Sequence, residues 1–233
     1  LMVKSQDEPF TMYGEIAETI ETPRDRSWAV FTIHPDARWH DGTPITAQDV
    51  VWSYNTLLEK GSPFYKAYYS DVEKVEALDD RTVKYTFRIA HNRELPMIVA
   101  EMSILPKHYW TSEGRDFNTT TLTPPLGSGP YKIDKVIPGR SIEYARVRDF
   151  WAKDLPVNKG RYNFNRITYD YYRDQNVSLE ALFANEYDFR QEYTAKLWAT
   201  AYDAPPVKNG EIIKKLIPNE LPQGLQGFIL NIR

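Results

Sequence analysis

The side chains best able to do chemistry in this sequence are four histidines, 32 carboxylates and a set of 16 tyrosines and 6 tryptophans. His34, His40, His91 and His108 are too far apart along the chain to form a local metal motif. A histidine-only site would need three of them to converge, so they read as hydrogen-bonding structural residues and no metal site is expected. Cysteine is absent, which removes disulfides, thiolate catalysis and cysteine-based metal sites together. Gly127-Ser128-Gly129 sets a serine between glycines but lacks the rest of a nucleophile elbow, so the glycines read as conformational. No Gly-x-Gly-x-x-Gly fingerprint or Walker loop occurs. No cofactor is expected. A pair of carboxylates could still meet in space, as glycoside hydrolysis requires, and this leaves a hydrolase as one alternative.

The aromatic residues say more. Phe64-Tyr65-x-x-Tyr68-Tyr69 and Tyr169-Asp170-Tyr171-Tyr172 put rings with polar edges close together, as pockets for sugars or peptides do. Helical spacing of the first cluster suits core packing. The second runs into Arg173-Asp174-Gln175, where a strand ends at a helix start and collects the polar groups that ligands use.

The elements that must hold these groups read as mixed α/β. Residues 28–33 are β-branched and aromatic enough for a strand, followed by a turn at His40-Asp41-Gly42-Thr43-Pro44. Thr46 caps a helix, Asp49 occupies the third position and Gly61 stops it. Strands are expected at 72–78 and 82–89 around the Asp79-Asp80 turn, with helical pieces near 93–101 and 106–110. A Thr- and Pro-rich connection over 111–126 precedes a strand from Tyr131 and a partner over 141–147. Beyond these come strands at 166–171, 187–189, 211–217 and 226–231, with helices at 176–185 and 194–202.

Composition bounds the class. The 233 residues are 42% hydrophobic and 26% charged, as in an ordinary globular protein, and the net charge of -3 comes without a basic stripe, so nucleic acid is not an expected partner. No apolar run is long enough to span a bilayer, and no leader is visible. Leu1-Met2-Val3 and Phe228 to Ile232 both read as strand interiors, so both ends are expected to lie inside a longer fold.

The stretch Ala37-Arg38-Trp39-His40-Asp41-Gly42-Thr43-Pro44-Ile45-Thr46-Ala47-Gln48-Asp49-Val50-Val51 resembles the signature of the family 5 extracellular solute-binding proteins. Gly127 to Ile133, Asp149-Phe150-Trp151 and Leu182 to Asp188 follow in the family's order. In the last of these Asn185 stands where the family has glycine, a substitution asparagine allows because it tolerates the left-handed backbone. Asp7 to Phe10 and Ser62 to Tyr65 are similar to an oligopeptide-binding subgroup of that family.

The resemblance implies a type II periplasmic binding protein lobe with an inserted α/β domain. Residues 1–12 and 127–225 would form lobe one, 13–126 the insert, and 226–233 the strand crossing to a second lobe that lies outside this chain. It implies a binding function without catalysis: a monomer that captures oligopeptides and hands them to ABC transporter permease subunits in the inner membrane. The location implied is the periplasm, or the cell surface as a lipoprotein in a single-membrane bacterium. Arg173, Asp174, Gln175, Glu192, Tyr193, Gln226, Gly227 and Phe228 would border the ligand cleft. The same signatures also admit another solute: an oligosaccharide, a nickel chelate or haem.

Overall fold

The computed structural model describes residues 1–5, 7–112, 114–119, 121–218 and 227. Its first part is built on a four-stranded antiparallel sheet in the order β3-β4-β6-β5, formed by β3 (Ala17–Glu21), β4 (Trp28–Ile33), β5 (Val72–Ala77) and β6 (Thr82–Phe87). A small ribbon of β1 (Met2–Lys4) and β2 (Met12–Gly14) precedes it. The central strands β4 and β6 alternate buried and half-buried residues, so one face enters the core while the other stays near solvent. Phe31, Ile33, Val83 and Tyr85 fill that core from the sheet, and Val50, Tyr54 and Leu57 meet them from α1 (Ala47–Lys60). Leu1, expected to lie with the segment 127–225, is buried in this same cluster with residues 17 to 102.

The sequence signals at α1 appear as expected. Thr46 caps the helix and Asp49 answers it, each side chain bonding the other's backbone N–H, and Gly61 closes the far end. The Asp79 carboxylate takes the N–H groups of Arg81 and Thr82, which fixes the hairpin between β5 and β6. Between α1 and β5 lies α2 (Pro63–Tyr68), a short helix after which Tyr69 enters the core while Phe64 and Tyr68 stack on the surface with centroids 4.9 Å apart.

Tyr85 carries a feature with a measurable effect. Its ring is fully buried among Phe31 and Tyr54, yet its hydroxyl finds no partner among the described residues, and burial pushes the phenol well above its ordinary value. Desolvating a hydroxyl without a hydrogen bond is unfavourable by about 1 kcal/mol or more. Tyr85→Phe is therefore expected to raise stability by about 1 kcal/mol in urea unfolding, since the ring remains and only the stranded group is removed. A loss of stability would show that the hydroxyl is satisfied.

After α3 (Leu95–Ala100) and α4 (Lys107–Trp110) the chain enters a second sheet, β7 (Tyr131–Ile137), β8 (Ser141–Arg146) and β9 (Arg166–Asp170), antiparallel throughout and in that order. The turn of the first part bonds directly to this second part. His40 donates its backbone N–H to the Gly127 carbonyl and its ring Nε2–H to that of Gly129, each at 2.8 Å, and the Arg38 guanidinium donates to the Asp149 carbonyl at 2.9 Å. Trp151 packs from the second part against the core of the first. Thus three stretches singled out by the resemblance meet at one junction.

The C-terminal portion holds α5 (Gln175–Phe183), α6 (Ala195–Thr200) and α7 (Pro205–Lys208). Leu179, Leu182 and Tyr202 form a second, smaller buried cluster there. Asn185 takes a φ of 61°, the left-handed turn expected of the residue replacing glycine. Two expected strands do not form. Residues 187–189 run without a ladder because Tyr187 turns inward to Ser178, and 211–217 leaves Ile213, Leu216 and Ile217 exposed with no partner strand among the described residues. β-branched content marks a segment that suits a sheet, but a strand needs a neighbour. The strand expected over 226–231 lies outside the described residues apart from Gly227.

Candidate functional site

β9 ends at Asp170, and the exposed run Tyr171-Tyr172-Arg173 leads directly to α5. Asp174 caps that helix: one carboxylate oxygen accepts the N–H groups of Asn176 at 2.8 Å and Val177 at 3.1 Å. Gln175 opens the helix, and its amide oxygen accepts the Thr194 hydroxyl at 3.2 Å, which ties the start of α5 to the N-cap of α6. Arg173 stands between strand and helix with its side chain in solvent.

The second expected pair, Glu192 and Tyr193, divides in two. Tyr193 is 82% exposed. The Glu192 side chain is only 4% exposed and is engaged at both oxygens: one accepts the Thr194 N–H at 2.8 Å, the other the Tyr202 hydroxyl at 3.0 Å and the Arg190 guanidinium at 3.2 Å. Burial pushes this carboxyl up, but the Thr194 N–H, the Tyr202 hydroxyl and Arg190 together outweigh it and hold the group below its ordinary value. Arg190, 12% exposed, reaches on to the Ser178 hydroxyl at 2.7 Å, and Ser178 meets the Tyr187 hydroxyl at 3.1 Å. Burial works against the Arg190 charge, and its hydrogen bonds and Glu192 more than restore it.

The expected residues therefore fall into two groups. Asp174, Gln175 and Glu192 brace the segments that carry Arg173 and Tyr193, and those two are the side chains presented outward. Tyr169 and Tyr171 are also exposed on this run. Gly227 is exposed, while Gln226 and Phe228 lie outside the described residues. Sequence reasoning missed Arg190, Ser178, Tyr187 and Tyr202. The available signal was an arginine two residues before Glu192, which is too common a spacing to identify a buried ion pair. An open depression between α5 and α7, lined by Glu180, Phe183, Thr200, Ala201, Asp203 and Pro205, contains none of the expected site residues. Among the described residues no three His, Asp or Glu side chains gather as metal ligands, and no helix is long and apolar enough to cross a membrane.

Comparison with known proteins places this geometry among relatives. The sequence profile described as "Bacterial extracellular solute-binding proteins, family 5 Middle" matches residues 11–233. "Probable peptide-binding protein YejA" of Agrobacterium fabrum is 41% identical over 240 residues, covering 100% of this chain and 39% of that protein. The solved structure of AgaA from A. tumefaciens R10, in complex with agropinic acid, aligns with a TM-score of 0.70 at 26% identity over 88% of this chain and 39% of that one. The ABC transporter substrate-binding protein CtaP of Listeria monocytogenes aligns with a TM-score of 0.61 at 28% identity, over 73% of this chain and 34% of that one. The chain spans less than two-fifths of the length of these relatives.

Proposed function

Because this chain belongs to the bacterial extracellular solute-binding proteins of family 5, we propose that it forms part of a receptor that captures oligopeptides outside the inner membrane and delivers them to an ABC permease. The observation that carries this reading is the division of labour around α5. The buried Arg190–Glu192 ion pair, the Asp174 cap of α5 and the Thr194 N–H held by Glu192 fix the segments 171–175 and 190–194, and on them stand an exposed guanidinium, Arg173, and an exposed phenol, Tyr193. Segments fixed in this way need little further ordering of the backbone when a ligand binds the side chains they carry. The name of the 41% identical relative supports peptide as the ligand.

On this reading residues 1–12 and 127–225 form one wall of a cleft and 13–126 an inserted domain beside it. Residues 226–233 lead to the opposite wall. Arg173 meets carboxylate or carbonyl groups of the peptide, Tyr193 covers a side chain, and hydrated pockets accept varied sequences. Ligand touching both walls favours the closed form, which the permease recognises. No bond of the ligand is broken. The protein acts in the periplasm or at the cell surface, as a monomer.

The test titrates the full-length protein with mixed tri- to octapeptides, and in parallel with agropinic acid, the ligand of the AgaA structure. At a hundred times the dissociation constant a bound peptide adds about 2.7 kcal/mol of stability, a readily measured rise in Tm. Arg173→Ala and Tyr193→Ala are each expected to weaken binding about tenfold, equivalent to about 1.4 kcal/mol. Unshifted melting with every peptide, or a shift with agropinic acid alone, would overturn the peptide reading. Cleaved peptide in the recovered ligand would instead point to the hydrolase.

A further inference from the structure

The stretch Asp7-Glu8-Pro9-Phe10 lies in the loop that joins β1 to β2, apart in sequence from the residues around α5. The loop is closed by the Ser5 N–H, which donates to the Thr11 carbonyl at 2.9 Å. Ser5 is buried, and its hydroxyl accepts the Glu8 N–H at 3.1 Å and donates to the Asp7 carboxylate at 2.8 Å. From the returning strand the Tyr13 hydroxyl donates to the Glu8 carboxylate. These bonds hold the loop in one shape, and in that shape Phe10 has a φ of 58°.

A left-handed backbone is unfavourable for a bulky residue, because its Cβ crowds the following carbonyl. Tyr162 takes the same φ of 58°, but its ring packs against Tyr131 and Phe150 with centroids 6.2 Å and 6.1 Å away. Phe10 has no such return. Its side chain is 83% exposed, more than any other large hydrophobic among the described residues, and no second aromatic ring meets it there. Strain of this kind persists where the surrounding structure imposes it, and it gathers at sites that hold a ligand.

The charge of the same loop selects the occupant. Asp7 and Glu8 are exposed, and among the described residues neither carboxylate forms an ion pair. Lys4, the basic residue of this ribbon, is taken up by Glu101 at 2.9 Å. An exposed aromatic face in an acidic loop attracts an organic cation and repels an anion. On the reading of the chain as part of a peptide receptor, we propose that Phe10, with the Asp7 and Glu8 carboxylates of its loop, receives an ammonium group of the bound peptide, from its amino terminus or from a lysine side chain.

The test measures dissociation constants of the full-length protein and of its Phe10→Ala variant for pentapeptides of alanine with one lysine at each position in turn. Each peptide is compared with its norleucine analogue and with its N-acetylated form. In the wild type, loss of one ammonium group is expected to weaken binding about fivefold, and Phe10→Ala is expected to abolish that difference. Whether norleucine or acetylation produces the loss tells a lysine side chain from the amino terminus. Phe10→Gly should lose the same preference while raising the Tm of the unliganded protein, since glycine adopts the left-handed backbone freely. An ammonium preference that survives Phe10→Ala, or none in a wild type that binds these peptides, would overturn the proposal. So would a lowered Tm of unliganded Phe10→Ala, which would put the ring against the rest of the protein. A wild type that binds no peptide at all would instead overturn the receptor reading, and this proposal with it.

Discussion

Replacing Asp49 by alanine is expected to lower folding stability by about 3 kcal/mol. Asp49 is 5% exposed, and its carboxylate accepts three hydrogen bonds: from the Thr46 N–H at 2.9 Å, from the Thr46 hydroxyl at 3.0 Å and from the Lys107 N–H at 2.9 Å. One carboxylate therefore closes the cap of α1 and also holds the start of α4. One turn on, the Ser53 hydroxyl donates to the Asp49 carbonyl at 2.6 Å and accepts the Leu105 N–H at 2.7 Å. Loss of a cap alone is worth about 1 kcal/mol, and each buried donor left unpaired adds about 1–3 kcal/mol, so the sum exceeds that of an ordinary surface cap. Asp49→Asn should also be damaging, because its amide can accept at one end only and turns an N–H toward a donor at the other. Urea unfolding at neutral pH reads both variants. A loss below about 1 kcal/mol for Asp49→Ala would mean that water replaces the carboxylate without difficulty.

The second large effect falls at Glu192. Glu192→Gln keeps the shape of the side chain but leaves the Arg190 guanidinium without its counter-charge in a shielded position, and a loss of about 2–3 kcal/mol is expected. The pH dependence has a definite sign. The folded carboxyl lies below its ordinary value, so its contribution is fully present above the ordinary value of 4.5 and fades as pH falls through the folded value. The wild-type protein and Glu192→Gln should therefore differ most at neutral pH and converge under acid conditions. A constant difference across that range would show that the charge is not what stabilises the segment. Because Glu192 braces the chain beside Tyr193, the variant should also bind ligand more weakly than its stability at neutral pH alone would suggest.

These two residues show what could and could not be read from the sequence. Thr46 and Asp49 are three positions apart in a helix start, so the cap follows from local spacing, and only the added hold on Lys107 needed the fold. Asn185 was legible for a similar reason, since a left-handed turn demands a residue able to adopt it. Glu192 was expected to face the ligand. Its actual surroundings come from Ser178, Tyr187 and Tyr202, which converge from separate elements and leave no mark at short range. The strand β3 went unread because Ala17–Glu21 alternates weakly and lies at a sheet edge, with only Ala17 buried. The strand expected at 211–217 failed in the opposite way, its β-branched residues being present without a neighbouring strand among the described residues. The placement of Arg173 and the tyrosines before it, where β9 runs into the capped α5, was legible because a strand running into a capped helix is itself a local pattern.

The junction at His40, Gly127 and Asp149 bears on how relatives of this protein should be sorted. The stretches that carry the family resemblance make the seam between two parts of the chain, and Arg173 and Tyr193 are not among the residues that form it. On the proposed reading, a collection assembled on the Trp39 to Val51 stretch gathers proteins by a shared chassis, whereas grouping by the residues at 173 and 193 is expected to divide it by cargo.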